Sequence, residues 1–195
     1  MIGNLRLPPV LSVILPVYNA KHFVEHAVVS ILQQSYSNFE LIIIDDGSFD
    51  GTTDILKRLS SQNARIVLLI RENRGLVASL NEGIRMARGE FIARMDADDV
   101  ALTQRFTDQI AYLHRTGYDL CGTAIQCFGK SELVWRYPST PAEVEVQLLF
   151  DSPYAHPSTM CKASLYKTLG YRNVFAGAED YDFMAACLAI GSKGR

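Results

Sequence analysis

Neither sign of charge predominates in this sequence. Nineteen Lys and Arg stand against 21 Asp and Glu, a formal balance of 19 − 21 = −2 over 195 residues. The large basic excess of a general nucleic-acid or acidic-membrane binder is missing, so any anionic ligand must be held by local groups. Long hydrophobic runs are missing too: the longest candidates, Leu41–Ile44 and Ile66–Ile70, fall far short of the roughly 20 residues of a membrane helix. Cys121, Cys127, Cys161 and Cys187 form no C-x-x-C pair, and Met1 to Pro9 has neither the basic start nor the apolar stretch of a signal peptide. Reduced core cysteines and a cytoplasmic setting are therefore expected. There is no internal repeat, low-complexity tract or linker. An apolar fraction of 48% excludes a disordered chain and, at this length, supports one domain with a sizeable core.

Short apolar runs alternate with stretches of helical period. Leu11–Val17, Phe39–Ile44, Arg65–Ile70 and Glu90–Met95 are nearly continuous in apolar residues, as strands covered on both faces should be. Between them, residues 20–34, 52–61 and 75–87 place apolar side chains at spacings of three and four. The pattern β-α-β-α-β-α-β predicts a mainly parallel open sheet with crossover helices. Beyond residue 100 the regularity loosens. A helix is expected over about Gln104 to Arg115, strands at Asp119–Phe128 and Leu133–Tyr137, a helix at Ala142–Phe150, a loop at 151–159, and helices near 162–169 and 179–190. The fold class is thus α/β, with a small antiparallel element in the second half.

Ligands of open α/β sheets bind beyond the carboxyl ends of the strands. Four successive strands end there in polar residues: Pro16-Val17-Tyr18-Asn19, Asp45-Asp46-Gly47-Ser48, Arg71 to Gly75, and Asp96-Ala97-Asp98-Asp99. Three carboxylates in the last tetrad repel one another unless a cation sits among them, and hard oxygen ligands suit Mg²⁺ or Mn²⁺. A solvated turn and helix cap is the plainer reading of the same residues. The second acidic pair, with Arg71, Arg74 and Arg94 nearby, favours a metal and phosphate site. Asp45 or Asp46 could accept from a base or ribose, Tyr18 could stack on a base, and Asp50, Thr52 or Thr53 could cap the next helix. No G-x-x-x-x-G-K-[ST] and no G-x-G-x-x-G after the first strand is present. Farther on, Glu179-Asp180-Tyr181-Asp182 opens a helix, either as dipole-favoured acids or as the source of a general base. His156 is either a loop residue or a pocket residue.

Taken in order, Ser12 to Asn19, Ile44 to Ser48 with Asp50-Gly51-Thr52, Asn73-Arg74-Gly75 with Asn81-Glu82-Gly83, Gly89 to Asp99, and Glu179-Asp180 resemble the signature of the family 2 glycosyltransferases. The resemblance runs from about Leu11 to Leu188. It implies a single GT-A-type domain over 1–195, with a nucleotide-binding half at about 10–100 and an acceptor-side half at about 101–195. It also implies inverting transfer of a sugar from a nucleotide diphosphate sugar, a UDP-sugar foremost, to a glycan or lipid-linked acceptor in polysaccharide or cell-surface glycan assembly. Pro16 and Tyr18 would line the nucleotide pocket, Asp45 or Asp46 would recognise base and ribose, and Arg71 and Gly75 would lie against the nucleotide. Asp98 would be the direct ligand of Mn²⁺ or Mg²⁺, Asp96 would lie nearer ribose and sugar with a share in the metal, and Asp180 would be the base with Glu179 beside it.

Two departures stand out. Leu80 replaces the Arg of the A-R-N-x-G pattern, and family members generally continue well past the base helix, so a truncated form of a longer protein is expected. A nucleotidyltransferase and a nucleotide-sugar binding module are the competing readings. The first should carry a glycine-rich basic loop after strand one, where Tyr18-Asn19-Ala20-Lys21 has no glycine.

Overall fold

The computed structural model describes residues 8–194; residues 1–7 and Arg195 lie outside the described residues. In chain order the elements are β1 (Leu11–Val17), α1 (Val24–Leu32), β2 (Phe39–Asp45), α2 (Thr52–Gln62), β3 (Ile66–Ile70), α3 (Leu76–Met86) and β4 (Phe91–Arg94). There follow α4 (Arg105–Thr116), β5 (Leu120–Cys121), β6 (Ile125–Gln126), β7 (Val134–Trp135), α5 (Pro141–Gln147), β8 (Met160–Lys162), α6 (Ala163–Leu169) and α7 (Glu179–Ala189).

Every residue of β1 and β2 is buried, which is why their sequences are apolar at successive positions rather than alternate ones. Leu11, Val13, Leu15 and Val17 join Phe39, Leu41 and Ile43 in one hydrophobic layer with α1, α2 and α4. Ile14, Ile42 and Ile44 face the opposite layer, filled by α3, α6 and α7. This division follows the two-residue period of the pleat. Ser12 and Glu40 are the polar exception and stand in register on adjacent strands. The buried Glu40 accepts from Ser12 Oγ at 2.7 Å and from the Arg88 guanidinium at 2.6 and 2.9 Å, so its charge is paired.

The main sheet has the order β3-β2-β1-β4-β8-β5. Pairings among β3, β2, β1 and β4 are parallel, and β8 runs antiparallel to both β4 and β5. A separate antiparallel pair joins β6 to β7. The mainly parallel open sheet and the antiparallel element are as the sequence predicts, but the second half differs in detail. The single strand expected at Asp119–Phe128 is broken into β5 and β6, which belong to different sheets. Gly122 lies at the break, where a Cβ would come within 2.6 Å of the Tyr154 ring, so the chain turns off against that side chain. Strand β8 was not foreseen, because three residues behind a Pro-Ser-His loop are too few to show a period.

The helix expected at Ala142–Phe150 begins at Pro141 and ends at Gln147, set by a Thr140–Glu143 capping box with Pro141 in the first turn. All four cysteines are free; Cys121, Cys161 and Cys187 are core residues, whereas Cys127 is only partly buried. Among the described residues no helix is long and apolar enough to cross a membrane.

Candidate active site at the sheet edge

The chain steps outward from β1 through β2 to β3, then returns through α3 to place β4 on the other side of β1. That reversal opens a crevice beyond the carboxyl ends of β1 and β4, where such sheets bind ligands. Pro16, in β1, is buried, whereas Tyr18 is 49% exposed and packs edge-on against Phe49. The loops after β1 and β2 are laced together. Asn19 N donates to Ser48 Oγ at 2.9 Å, Phe49 N to Asn19 Oδ1 at 3.0 Å, and Ala20 N to Thr52 Oγ1 at 2.9 Å. None of the three candidates occupies the N-cap of α2, which is Gly51; Asp50, just before it, accepts from Thr52 N at 3.0 Å. This lacing fixes the backbone that presents Tyr18.

The acids after β2 are turned inward. Asp45 accepts from Ser48 N at 3.1 Å and from Thr53 Oγ1 at 2.5 Å, and is fully buried. Asp46 accepts from the backbone N–H of Arg74 and of Gly75, each at 2.8 Å, and pairs with the Arg71 guanidinium. Arg71 also donates to Glu82 at 2.9 Å, Ser79 Oγ at 2.8 Å and the Glu72 carbonyl at 2.8 Å. The sequence places Arg71 against a nucleotide; the structure engages its guanidinium with protein acceptors. Gly47 allows the close seam, because its φ is +81° and a Cβ there would meet Asn73 N at 2.8 Å.

The acids after β4 are arranged differently. Asp96, Asp98 and Asp99 each offer a carboxylate oxygen within 4.8 Å of the others. Asp98 is exposed, Asp96 and Asp99 half-buried. Partial burial, then the charges of Asp96 and Asp98, push the Asp99 carboxyl up to about 6. Arg94 is 4% exposed and ion-pairs with Asp96. Arg105, at the start of α4, braces the strand end from behind, donating to the Arg94 carbonyl at 2.9 Å and to Met95 Sδ at 3.2 Å. Burial lowers Arg105 to about 10, which leaves it charged at neutral pH.

At the start of α7, Glu179 is buried and accepts from Gly177 N at 2.7 Å. Asp180 is half-buried, and among the described residues its carboxylate has no hydrogen-bond or ion-pair partner. Asp182 is held by Arg172, Nε donating at 2.9 Å. Phe183, one residue on, stacks on Tyr166 with centroids 4.5 Å apart and packs on Tyr171 at 5.2 Å. The Tyr171 hydroxyl lies 2.7 Å from His156 Nε2. His156 is therefore a buried link between α7 and the β4 end, and burial, with Arg94 nearby, holds its pKa well below the usual value. Asn81 clamps the same loop, donating to the Tyr171 carbonyl at 2.8 Å and accepting from its N–H at 2.9 Å. Neither Arg105 nor Tyr171 was singled out from the sequence. Each acts on groups distant along the chain, and no local pattern marks them.

The fold is one that solved structures share. The mannosyltransferase PcManGT from Pyrobaculum calidifontis, in complex with GDP-Man and Mn²⁺, superposes with a TM-score of 0.75 at 21% identity, over 96% of this chain and 54% of that one. S. aureus TarS in complex with UDP-GlcNAc gives 0.74 at 20% identity, over 89% and 52%. The architecture is the GT-A fold. Residues 12–178 match the Glycosyl transferase family 2 profile, and the chain belongs to that family. The Bacillus subtilis protein EpsE is 37% identical over 194 residues, 95% of this chain and 69% of its own length. The O-antigen biosynthesis glycosyltransferase WbnJ of Escherichia coli is 33% identical over 185 residues, 92% of this chain and 72% of its own. The chain thus spans about half the length of the solved structures it resembles.

Proposed function

We propose that this chain carries the donor-binding and catalytic machinery of an inverting, metal-dependent glycosyltransferase. It moves a sugar from a nucleoside diphosphate sugar, a UDP-sugar foremost, to a hydroxyl of a glycan or lipid-linked acceptor in polysaccharide or cell-surface glycan assembly. The observation that carries this reading is the cluster of three carboxylates at the switch point, their oxygens within 4.8 Å of one another. Family membership and the name of WbnJ support the biosynthetic role. The GDP-Man, UDP-GlcNAc and Mn²⁺ of the solved neighbours support the donor class and the cation.

The donor set fits a hard divalent cation, Mn²⁺ or Mg²⁺, because only carboxylate oxygens converge. Asp98, the exposed acid, and Asp96 would hold it. Once bound, the cation neutralises charge developing on the diphosphate leaving group. Tyr18 offers an aromatic face to the base, and Pro16 and the Gly75 turn shape the nucleotide pocket. Asp45 and Asp46 hold in place the loops that frame the base and ribose site. Asp180, without a protein partner, is free to accept the proton of an acceptor hydroxyl, and Glu179 fixes the turn that presents it. A single base suffices for one inverting displacement. Residues 10–100 form the donor half and 101–195 the acceptor half of one domain. Four free cysteines support a reducing, cytoplasmic setting.

The test is a thermal-shift series with UDP, GDP, dTDP and CMP, each with and without Mn²⁺, since a ligand of the native state raises its stability. A nucleoside diphosphate is expected to stabilise the chain only when Mn²⁺ is present. Equal stabilisation without the ion would sink the metal-bridge reading.

A further inference from the structure

Arg94 is unusual among the cations of the site. The Arg71 guanidinium meets a full set of oxygen acceptors, and Arg105 donates to two backbone carbonyls, to Gln109 and to Met95 Sδ. Arg94 is just as deeply placed, but its Nε and Nη1 are sealed from solvent without a hydrogen-bond partner, and its one ion pair is Nη1 to Asp96. The contact is therefore one of charge with charge. The Arg94 charge is also felt by Asp99, and by the buried His156 and Tyr171, but none of these is ion-paired with it. Among the described residues Arg94 is the only cation paired with Asp96.

Three acids within reach of one ion bring one more negative charge than a divalent cation balances, and a buried guanidinium on one of them removes the excess. Resting on the metal reading above, we propose that Arg94 is a positioning residue that reserves Asp96. It neutralises the first acid of the tetrad, leaving Asp98 and Asp99 to seat the cation. This assigns Asp99 a larger part, and Asp96 a smaller one, than the motif alone suggests.

The test reads Mn²⁺ affinity directly, by electron paramagnetic resonance titration of the chain without donor. Replacing Arg94 by Gln unmasks the Asp96 charge, and a unit charge this near a divalent ion changes its affinity by about tenfold even at the dielectric of water. Arg94→Gln should therefore bind Mn²⁺ about tenfold tighter, Arg94→Lys should stay near wild type, and Asp96→Asn in the Arg94→Gln background should cancel the gain. In the wild-type background Asp96→Asn leaves the Arg94 charge unopposed and should cost about tenfold, whereas Asp98→Asn, which removes a ligand as well as a charge, should cost more than about a hundredfold, estimates on the same Coulomb scale. If Arg94→Gln does not fold, as judged by circular dichroism, the comparison of Asp96→Asn with Asp98→Asn decides alone. Equal losses in those two variants, or wild-type affinity in a folded Arg94→Gln, would overturn the proposal while leaving the metal reading standing. A wild-type chain that binds no Mn²⁺ would overturn both.

Discussion

Two groups of acids stand at the carboxyl ends of β2 and β4, the strands that flank β1, and they differ in what surrounds them. Asp45 and Asp46 are buried and meet hydroxyl, backbone and guanidinium donors from two stretches of chain, 48–53 and 71–75. Asp96, Asp98 and Asp99 crowd one another, and among the described residues Arg94 is the only cation ion-paired to the trio. The first group is a clasp and the second a seat. The same residue type at equivalent places in the sheet becomes structural or ligand-ready according to the number of donors the rest of the fold delivers.

Substitutions can break or sharpen this contrast. The largest expected effect is at the seat: Asp98→Ala should abolish Mn²⁺-dependent stabilisation by a nucleoside diphosphate and lower transfer by about 10³-fold, with the unliganded melting temperature little changed. A large drop in that temperature would instead make Asp98 part of a clasp. Next, Asp180→Asn should reduce transfer by at least about 10²-fold while the donor-induced thermal shift persists. Undiminished turnover would remove Asp180 from the base role.

At the clasp the readout reverses. Asp46→Ala strands the Arg71 guanidinium and two backbone N–H groups in a buried seam, and should cost about 3–5 kcal/mol in urea denaturation. A cost below about 1 kcal/mol would be that of a surface pair. The smallest effect concerns Asp99, whose folded pKa of about 6 lies above the ordinary 3.8. Across roughly pH 4 to 6 the native state holds a proton that the unfolded chain has released, so the metal-free protein should lose stability as pH rises through that window. Asp99→Asn should flatten this slope and raise the metal-free melting temperature at pH 7 by about a few degrees. A slope unchanged in the variant would assign it to another group.

Much of the first half was legible because its elements are long and their burial is uniform. Continuous apolar runs such as Leu41–Ile44 can only be strands covered on both faces, and α3 and α4 show clean apolar stripes. The second half resisted for the opposite reason. Its strands β5, β6 and β7 have two residues each, and α5 buries none of its residues, so nothing periodic marks them. Candidate site residues were legible where chemistry is dense, as in Asp96-Ala97-Asp98-Asp99. They were illegible where a residue acts through a distant partner, as Asn81 does on Tyr171 across 90 positions.

By itself the sequence determined the sheet class, the edge that carries the polar groups and the family. It did so because pleat and helix periods and local acid spacing are properties of neighbouring residues. The tertiary structure alone decided which acids are engaged and which are open, that the Arg71 guanidinium is engaged by protein acceptors, and that Arg94 meets Asp96 without a directed hydrogen bond. Those outcomes depend on which donors arrive at a carboxylate from elsewhere in the chain and on how much water is left around it. Local sequence encodes neither.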